Sequence, residues 1–202
     1  VCTWKPVANA ARAELTDCNG RKYEVNTIIG ANELYDVCKI KAATQGKTVP
    51  AAVATTTQPD GSKVWLLTST DKKVPGKQYE VQRTETFMDK YAYYILNYND
   101  EIPDAGSPFV NEKGEVIGLL QTSETSNEIH AVDVQYIMSL KLETMALNSP
   151  MLSKTGIRME LPADKDQALL LLMMSSEQRD SAKYANYMND FIEKFPHEVD
   201  GY

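Results

Sequence analysis

The chain has 202 residues, of which 43% are hydrophobic, so it can form one ordinary domain with a core and a smaller second unit. Its formal net charge of −7 argues against a nucleic-acid partner, because such binding depends on clustered Lys and Arg. The longest strictly apolar run, Ala168 to Met174, is far shorter than the roughly 20 residues of a membrane-spanning helix, so no span is predicted.

The three cysteines, Cys2, Cys18 and Cys38, all lie in the first fifth of the chain. Their spacing is not that of metal ligands, and we expect neither a metal nor a cofactor. The favoured interpretation is buried or half-buried thiols. One disulfide with an odd thiol left over is the alternative, and it would fit an exported protein.

The first 46 residues predict three consecutive strands of an antiparallel sheet. Asn19-Gly20 lies between the first two, and this pair is a strong hairpin signal because both residues tolerate a positive φ. A polar connection, Gln45 to Pro50, follows the third strand. The three predicted strands are Arg12 to Thr16, Tyr23 to Ile29 and Tyr35 to Lys41.

Residues 51–134 contain short apolar runs at regular spacing, separated by turns with Gly or Pro. This pattern is typical of a β-barrel or sandwich. The strand candidates are Ala51 to Thr55, Lys63 to Thr68, Gln78 to Thr84, Tyr91 to Asn97, Phe109 to Val110, Val116 to Gln121 and His130 to Val134.

After Val134 the apolar period changes to 3.6, which predicts helices. The first apolar stripe contains Tyr136, Ile137, Leu140 and Met145, and Asn148-Ser149-Pro150 ends it. Two amphipathic helices are predicted further on, as a helical hairpin over Asp164 to Ser176 and Ser181 to Phe195.

The most informative stretch runs from Asp100 to Gln121 and reads as a loop followed by a hairpin. It resembles the nucleophile loop of the trypsin/chymotrypsin-like serine proteases, where Gly-Asp-Ser-Gly-Gly/Ser-Pro precedes two strands. The matching residues run from Pro103 to Pro108, and Ala105 stands where that family has its serine.

The first strands resemble the first barrel of the bacterial periplasmic members of the same family. Residues 1–7 match the family's Val-x-Thr-Asn-x-His segment, with Pro6 at the histidine. Asp36 matches the catalytic aspartate. The strands that precede this histidine in the family are absent. The resemblance therefore implies a mainly β fold, a trypsin-like double β-barrel with its first barrel incomplete, followed by a C-terminal α-helical hairpin.

The segment Ala182 to Pro196 resembles the second helix of a tetratricopeptide repeat. Such repeats bury their faces by stacking, and about three are usually needed. We therefore expect a trypsin-like domain over residues 1–149, a tetratricopeptide-like hairpin over residues 162–202, and a longer parent protein.

By the resemblance, no catalytic residue is intact. Ala105 has no nucleophilic oxygen, Pro6 cannot act as a base, and Pro103 lacks the N–H of an oxyanion donor. Asp36 is interpreted as a strand-end carboxylate that bonds backbone N–H groups. The predicted function is an inactive module, a pseudoprotease, that binds a peptide or protein. Its substrate-pairing residues would be Gln121, Thr122 and Ser123.

Two other functions stay open: an active serine endopeptidase captured as a Ser-to-Ala knockout at Ala105, and a scaffold in which the helical repeats bind the partner. Ser107 as a displaced nucleophile and His130 as a base are the weaker site hypotheses. Tyrosines in Tyr91 to Tyr98 either line a recognition groove or follow the alternation of a strand. The family resemblance implies a periplasmic or extracellular location.

Overall fold

The computed structural model of the chain describes residues 1–17, 19–44, 46, 48–68, 76–97, 105–121, 128–142, 152, 154–177 and 181–197. The strands in these ranges are β1 (Ala13–Thr16), β2 (Lys22–Asn32), β3 (Val37–Ala42), β4 (Lys63–Leu67), β5 (Gly76–Phe87), β6 (Tyr91–Asn97), β7 (Pro108–Val110), β8 (Val116–Gln121), β9 (Glu128–Asp133) and β10 (Arg158–Met159). The helices are α1 (Lys5–Ala8), α2 (Val134–Ser139), α3 (Lys165–Glu177) and α4 (Ser181–Lys194).

Strands β4 to β9 form a closed barrel in the order β4-β5-β6-β9-β8-β7, with every neighbouring pair antiparallel. Side chains alternate along each strand, so that Ala92, Tyr94 and Leu96 of β6 lie in the barrel core. Closure pairs both edges of every strand. The structure confirms the predicted barrel of short strands.

The strand predicted over Ala51 to Thr55 is wrong. Among these five residues, all of them described, Val53 alone forms a bridge, which runs parallel to Val116. The Ala54 N–H donates to the Val116 carbonyl at 2.9 Å. Since β8 already pairs with β7 and β9, the segment can contact only the first residue of that strand.

The other sheet is built around β2. Strand β3 runs antiparallel along one edge of β2, and β1 runs antiparallel along the first part of the other edge. In the β1–β2 turn, Asp17 Oδ1 accepts the N–H groups of Asn19 and Arg21 at 2.8 and 2.9 Å. Gly20 has a φ of 78°, as an Asn-Gly turn requires. The three predicted antiparallel strands are confirmed.

Strand β10 occupies the rest of that edge of β2. It runs parallel to β2, with Arg158 opposite Thr27 and Met159 opposite Ile28. A strand of two residues cannot show a period, which is why the sequence pattern does not predict it. The first barrel is thus represented by an open sheet of four strands.

The helical hairpin packs on this sheet, and the bounds of α3 and α4 confirm both predicted helices to within one residue. Three polar contacts connect α4 to the segment that contains β10. The Met159 N–H donates to the Tyr187 hydroxyl at 2.7 Å, Arg158 pairs with Asp190 at 2.7 Å, and Lys194 Nζ donates to the Leu161 carbonyl at 2.7 Å. The apolar residues shared by sheet and hairpin include Trp4, Val7, Val25, Ile28, Cys38, Met159, Leu171, Leu172, Tyr187 and Phe191.

Helix α2 is shorter than the predicted stripe. Asp133 caps its start by accepting the Gln135 N–H at 2.8 Å, and Leu140 leaves the helix with a ψ of 124°. The chain turns there because the Leu142 N–H donates to the Ile29 carbonyl of β2 at 3.1 Å. Met145 and the predicted helix end at residues 148–150 lie outside the described residues. None of the described helices has the length and apolar character needed to span a bilayer.

We expect Tyr187→Phe to lower the free energy of unfolding by about 1–3 kcal/mol, because the buried Met159 N–H would lose its acceptor. Urea unfolding followed by circular dichroism measures the change. Tyr184→Phe is the matched control, since it removes a hydroxyl from the same helix without touching Met159, and it should change stability by less than about 0.5 kcal/mol.

The pH dependence of stability provides a second readout for the same variant. Burial raises the pKa of Tyr187 from 10.0 to about 12. The stability from the buried neutral phenol is therefore fully present below pH 10 and lost as the pH rises toward 12. Tyr187→Phe should weaken this alkaline loss; an unchanged profile would show that Tyr187 is not buried in solution.

Candidate functional site

Ala105 lies in a turn that leads into β7, and the residues after it are held by backbone pairing to β8. The Gly106 N–H donates to the Leu120 carbonyl at 2.8 Å, and the Leu120 N–H donates to the Ser107 carbonyl at 2.9 Å. Gly106 has a φ of 89°, a conformation that L side chains rarely adopt. The loop shape therefore depends on glycine and on main-chain bonds rather than on the side chain at position 105.

The 105–108 loop lies against the N-terminal segment. A Cβ added to Gly106 would lie 3.3 Å from Thr3 Cγ2 and 3.6 Å from the Thr3 backbone nitrogen. Thr3 is three residues before Pro6 in the sequence. The structure thus brings the segment with the predicted histidine position next to the loop with the predicted serine position.

Pro6 occupies the first turn of α1, where a residue without an N–H is tolerated because no helical acceptor precedes it. The helix is anchored by two apolar side chains, Trp4 and Val7, which are 1% and 4% exposed and lie in the core shared with the hairpin. Main-chain geometry and packing therefore hold this segment without any contribution from an imidazole.

Asp36 lies in the turn before β3 and is 7% exposed. Its Oδ1 accepts the Lys5 N–H at 2.8 Å, one residue before Pro6. Its φ of 44° is in the left-handed region, which Asp and Asn tolerate better than most residues. The carboxylate thus bonds the backbone of α1. Through Lys5 and Thr3, the N-terminal segment lies beside both Asp36 and the 105–108 loop.

Gln121, one of the predicted substrate-pairing residues, is 7% exposed and ends β8. Its Nε2 donates to the Tyr35 carbonyl, and its Oε1 accepts the Tyr93 hydroxyl proton at 2.8 Å. The amide therefore joins the barrel to the turn that contains Asp36. The other substrate-pairing positions, Thr122 and Ser123, and the oxyanion position Pro103 lie outside the described residues.

His130 faces Gln121 across the β8–β9 pair, and its Nδ1 is 3.1 Å from the Tyr93 hydroxyl. The Tyr35 carbonyl can only accept, so it orients the Gln121 amide with Oε1 toward the Tyr93 hydroxyl. The tautomer of the His130 ring sets which atom donates between Nδ1 and the Tyr93 oxygen. Burial raises the pKa of Tyr93 to about 12, which keeps this hydroxyl protonated near neutral pH.

The tyrosines of β6 divide between two environments, as strand alternation requires. Tyr94 is 1% exposed inside the barrel, whereas Tyr91 and Tyr93 lie on the opposite face, in an aromatic cluster that includes Tyr35 and Tyr136. This packing accounts for Tyr91, Tyr93 and Tyr94. Tyr98 lies outside the described residues.

Ser107, the other predicted nucleophile, contributes its backbone carbonyl to the β7–β8 pairing. In the part of the chain that the structure describes, no three His, Cys, Asp or Glu side chains are grouped so that they could hold a metal ion.

No protein-family model matches the chain, and no curated protein matches it. Among solved structures it is similar to one described as "HtrA-type protease AlgW with decapeptide", with a TM-score of 0.54 and 11% sequence identity. The match covers 68% of this chain and 45% of that one, so the chain spans less than half the length of that protein. At this identity the likeness shows the fold, and it confirms that the fold is trypsin-like.

We expect Asp36→Ala to lower the free energy of unfolding by about 1–3 kcal/mol, because the Lys5 N–H loses its acceptor and alanine must adopt a positive φ. Asp36→Asn keeps an Oδ acceptor and tolerates this backbone conformation, so it should lose less than about 1 kcal/mol. Urea unfolding of the two variants measures both changes. Equal losses would contradict a backbone-bonding role and indicate that the charge is what stabilises the fold.

Proposed function

We propose that this chain is a catalytically inactive trypsin-like module that binds peptides or proteins. The observation that carries the proposal is the neighbourhood of Pro6, Asp36 and Ala105. The Lys5 N–H joins α1 to the Asp36 carboxylate and Thr3 lies beside the 105–108 loop, while two of the three side chains, Pro6 and Ala105, have no reactive group. The frame of an acyl-transfer site is therefore retained without its nucleophile and base.

Acyl transfer needs a nucleophile, a base that takes its proton, and donors for the oxyanion. The methyl group of Ala105 cannot form an acyl-enzyme, and the pyrrolidine ring of Pro6 cannot accept a proton at neutral pH. A prolyl residue at position 103 also has no N–H to donate. Loss of a single oxyanion donor lowers kcat by about 10² to 10³, and loss of triad members lowers it further.

The same frame can still bind an extended chain, because pairing with a strand edge uses only main-chain groups. The β7 side of β8 is occupied as far as Leu120, which bonds Gly106 and Ser107. A bound peptide would therefore pair beyond Leu120, along Gln121, Thr122 and Ser123. The structurally similar AlgW is described with a decapeptide, which supports a peptide as the ligand class.

In this site the Gln121 side chain would stabilise the end of β8 rather than contact the ligand. Its amide is already bonded to Tyr35 and Tyr93, so it holds the end of β8 in place. Recognition would then depend on the main chain of Thr122 and Ser123. We also infer, from the family resemblance, that the module acts in the periplasm or outside the cell.

Two alternatives give different results in simple assays. An active endopeptidase captured as a knockout would recover activity when Ala105 is restored to serine. A scaffold would bind through the hairpin, and the outer face of α3 is where a partner could dock, since Met173 is 64% exposed and Leu170 is 42% exposed. The inner faces of α3 and α4 are covered by the sheet.

We expect Ala105→Ser to remain unreactive toward a fluorophosphonate probe and to hydrolyse no peptide substrate, because Pro6 leaves the new hydroxyl without a base. Labelling is read by intact-mass spectrometry, with trypsin as the positive control. Labelling at position 105 would overturn the proposal in favour of a knockout. Labelling of the wild type that Ser107→Ala abolishes would overturn it in favour of a displaced nucleophile.

We expect Thr122→Pro to reduce the affinity for peptides selected from a display library by at least about tenfold, because proline removes a main-chain donor from the proposed edge. Fluorescence anisotropy measures the affinity, and urea unfolding checks that the variant is folded. Met173→Lys is the control on α3 and should bind as the wild type does. The opposite result, with loss only in Met173→Lys, would support the scaffold.

A further inference from the structure

Cys2 and Cys38 lie directly opposite each other, although β1 and β2 lie between them in the sequence. The Cys2 N–H donates to the Cys38 carbonyl at 3.0 Å, and the Cys38 N–H donates to the Cys2 carbonyl at 2.8 Å. Two residues that exchange both main-chain bonds form a hydrogen-bonded antiparallel pair, whose Cα atoms are about 5.5 Å apart. Disulfides typically join Cα atoms about 4.4–6.8 Å apart, so this pair has a suitable separation.

The two side chains of such a pair point to the same face of the sheet, and here both face the core shared with the hairpin. Cys38 is 0% exposed, whereas Cys2 is half-buried. Both thiols are free. One accessible thiol next to one buried thiol is the arrangement of an attacking and a resolving cysteine.

We propose that Cys2 and Cys38 are a redox-active pair that closes to an intramolecular disulfide by exchange with a low-molecular-weight disulfide. This pair shares no residue with the proposed peptide-binding site, which uses the 105–108 loop and the end of β8.

The exchange balances in two steps. The Cys2 thiolate attacks one sulfur of the small disulfide, which forms a mixed disulfide and releases one small thiolate. The Cys38 sulfur then attacks the Cys2 sulfur, its proton goes to solvent, and the second small thiolate leaves. The released thiolates take up protons. Two protein thiols are oxidised by two electrons in total, and the small disulfide is reduced to two thiols.

The environment of each sulfur favours this order of attack. The hydrogen bond from Cys38 lowers the pKa of Cys2 to about 7, so a large fraction of Cys2 is thiolate at neutral pH. The same bond, with burial second, raises the pKa of Cys38. Once the Cys2 sulfur is capped, the neighbouring thiolate is gone and Cys38 can lose its proton more easily.

A closed bridge would fix the start of the chain to β3. Cys2 directly precedes Thr3, whose Cγ2 lies 3.3 Å from where a Cβ on Gly106 would be. Cys38 lies two residues after Asp36, which accepts the Lys5 N–H. The bridge would therefore lock the contacts that hold residues 3–6 beside the 105–108 loop. It would also restrict the unfolded chain and so stabilise the fold.

The test incubates reduced, folded wild-type protein with excess oxidised glutathione near neutral pH and then caps free thiols with N-ethylmaleimide. Non-reducing peptide mapping should find Cys2 joined to Cys38. The urea midpoint should rise by about 1 M and return after dithiothreitol is added. Cys18→Ser should behave in the same way. A Cys2–Cys18 link, or Cys2 found only as a glutathione adduct, would overturn the proposal.

Two single variants test the roles of the sulfurs. Cys38→Ser should trap glutathione on Cys2, because no resolving thiol is left. Cys2→Ser should react with glutathione at least about tenfold more slowly, because Cys38 is buried. Equal reactivity of the two variants would overturn the assignment of Cys2 as the attacking thiol. Circular dichroism confirms that both are folded.

Discussion

The rest of the structure depends on one constraint: both edges of β2 must be paired and its apolar side chains must be buried. This strand has β3 on one edge, and it needs both β1 and β10 to complete the other. Val25 and Ile28 of β2 enter the core beneath the helical hairpin. Gly30 approaches the end of α2 so closely that an added Cβ would lie 2.8 Å from the Leu140 carbonyl oxygen. One strand thus joins the open sheet, the hairpin and the barrel.

The helical hairpin covers the apolar face of the four-stranded sheet. An open sheet with a bare apolar face would be unstable in water, and a single pair of helices cannot bury its own apolar faces. Each therefore covers the other, and Tyr187, Arg158 and Lys194 supply polar contacts at the boundary. This mutual burial explains why one core contains residues from both ends of the chain.

The segment around Pro6 is held by packing and by one bond to Asp36. Burial of the Val7 side chain contributes about 1.5–3 kcal/mol, and this stabilisation does not depend on a catalytic side chain. The Asp36 carboxylate still has a structural partner in the Lys5 N–H. Packing and this bond therefore hold the segment of Pro6 against the turn of Asp36.

Several contacts near this site could not be predicted from the sequence. Gln121 reads as a strand-end polar residue, yet it is bonded to Tyr35 and Tyr93, which are far from it in the chain. The alternation Tyr91, Tyr93 did indicate one face of a strand. The alternation could not indicate that this face contacts α2 and the turn that contains Asp36, because these contacts depend on how the barrel packs against the sheet.

The sequence by itself determined β1 to β9, the Asn-Gly hairpin and the bounds of α3 and α4. Those signals are local, because periods of 2 and 3.6 and turn residues are visible within a few positions. Only the tertiary structure decided that β10 would complete β2, that the segment at Val53 would form a single bridge, and that Cys2 would face Cys38. Each of these contacts joins segments distant in the chain, and no local pattern encodes which distant partner a strand edge will bind.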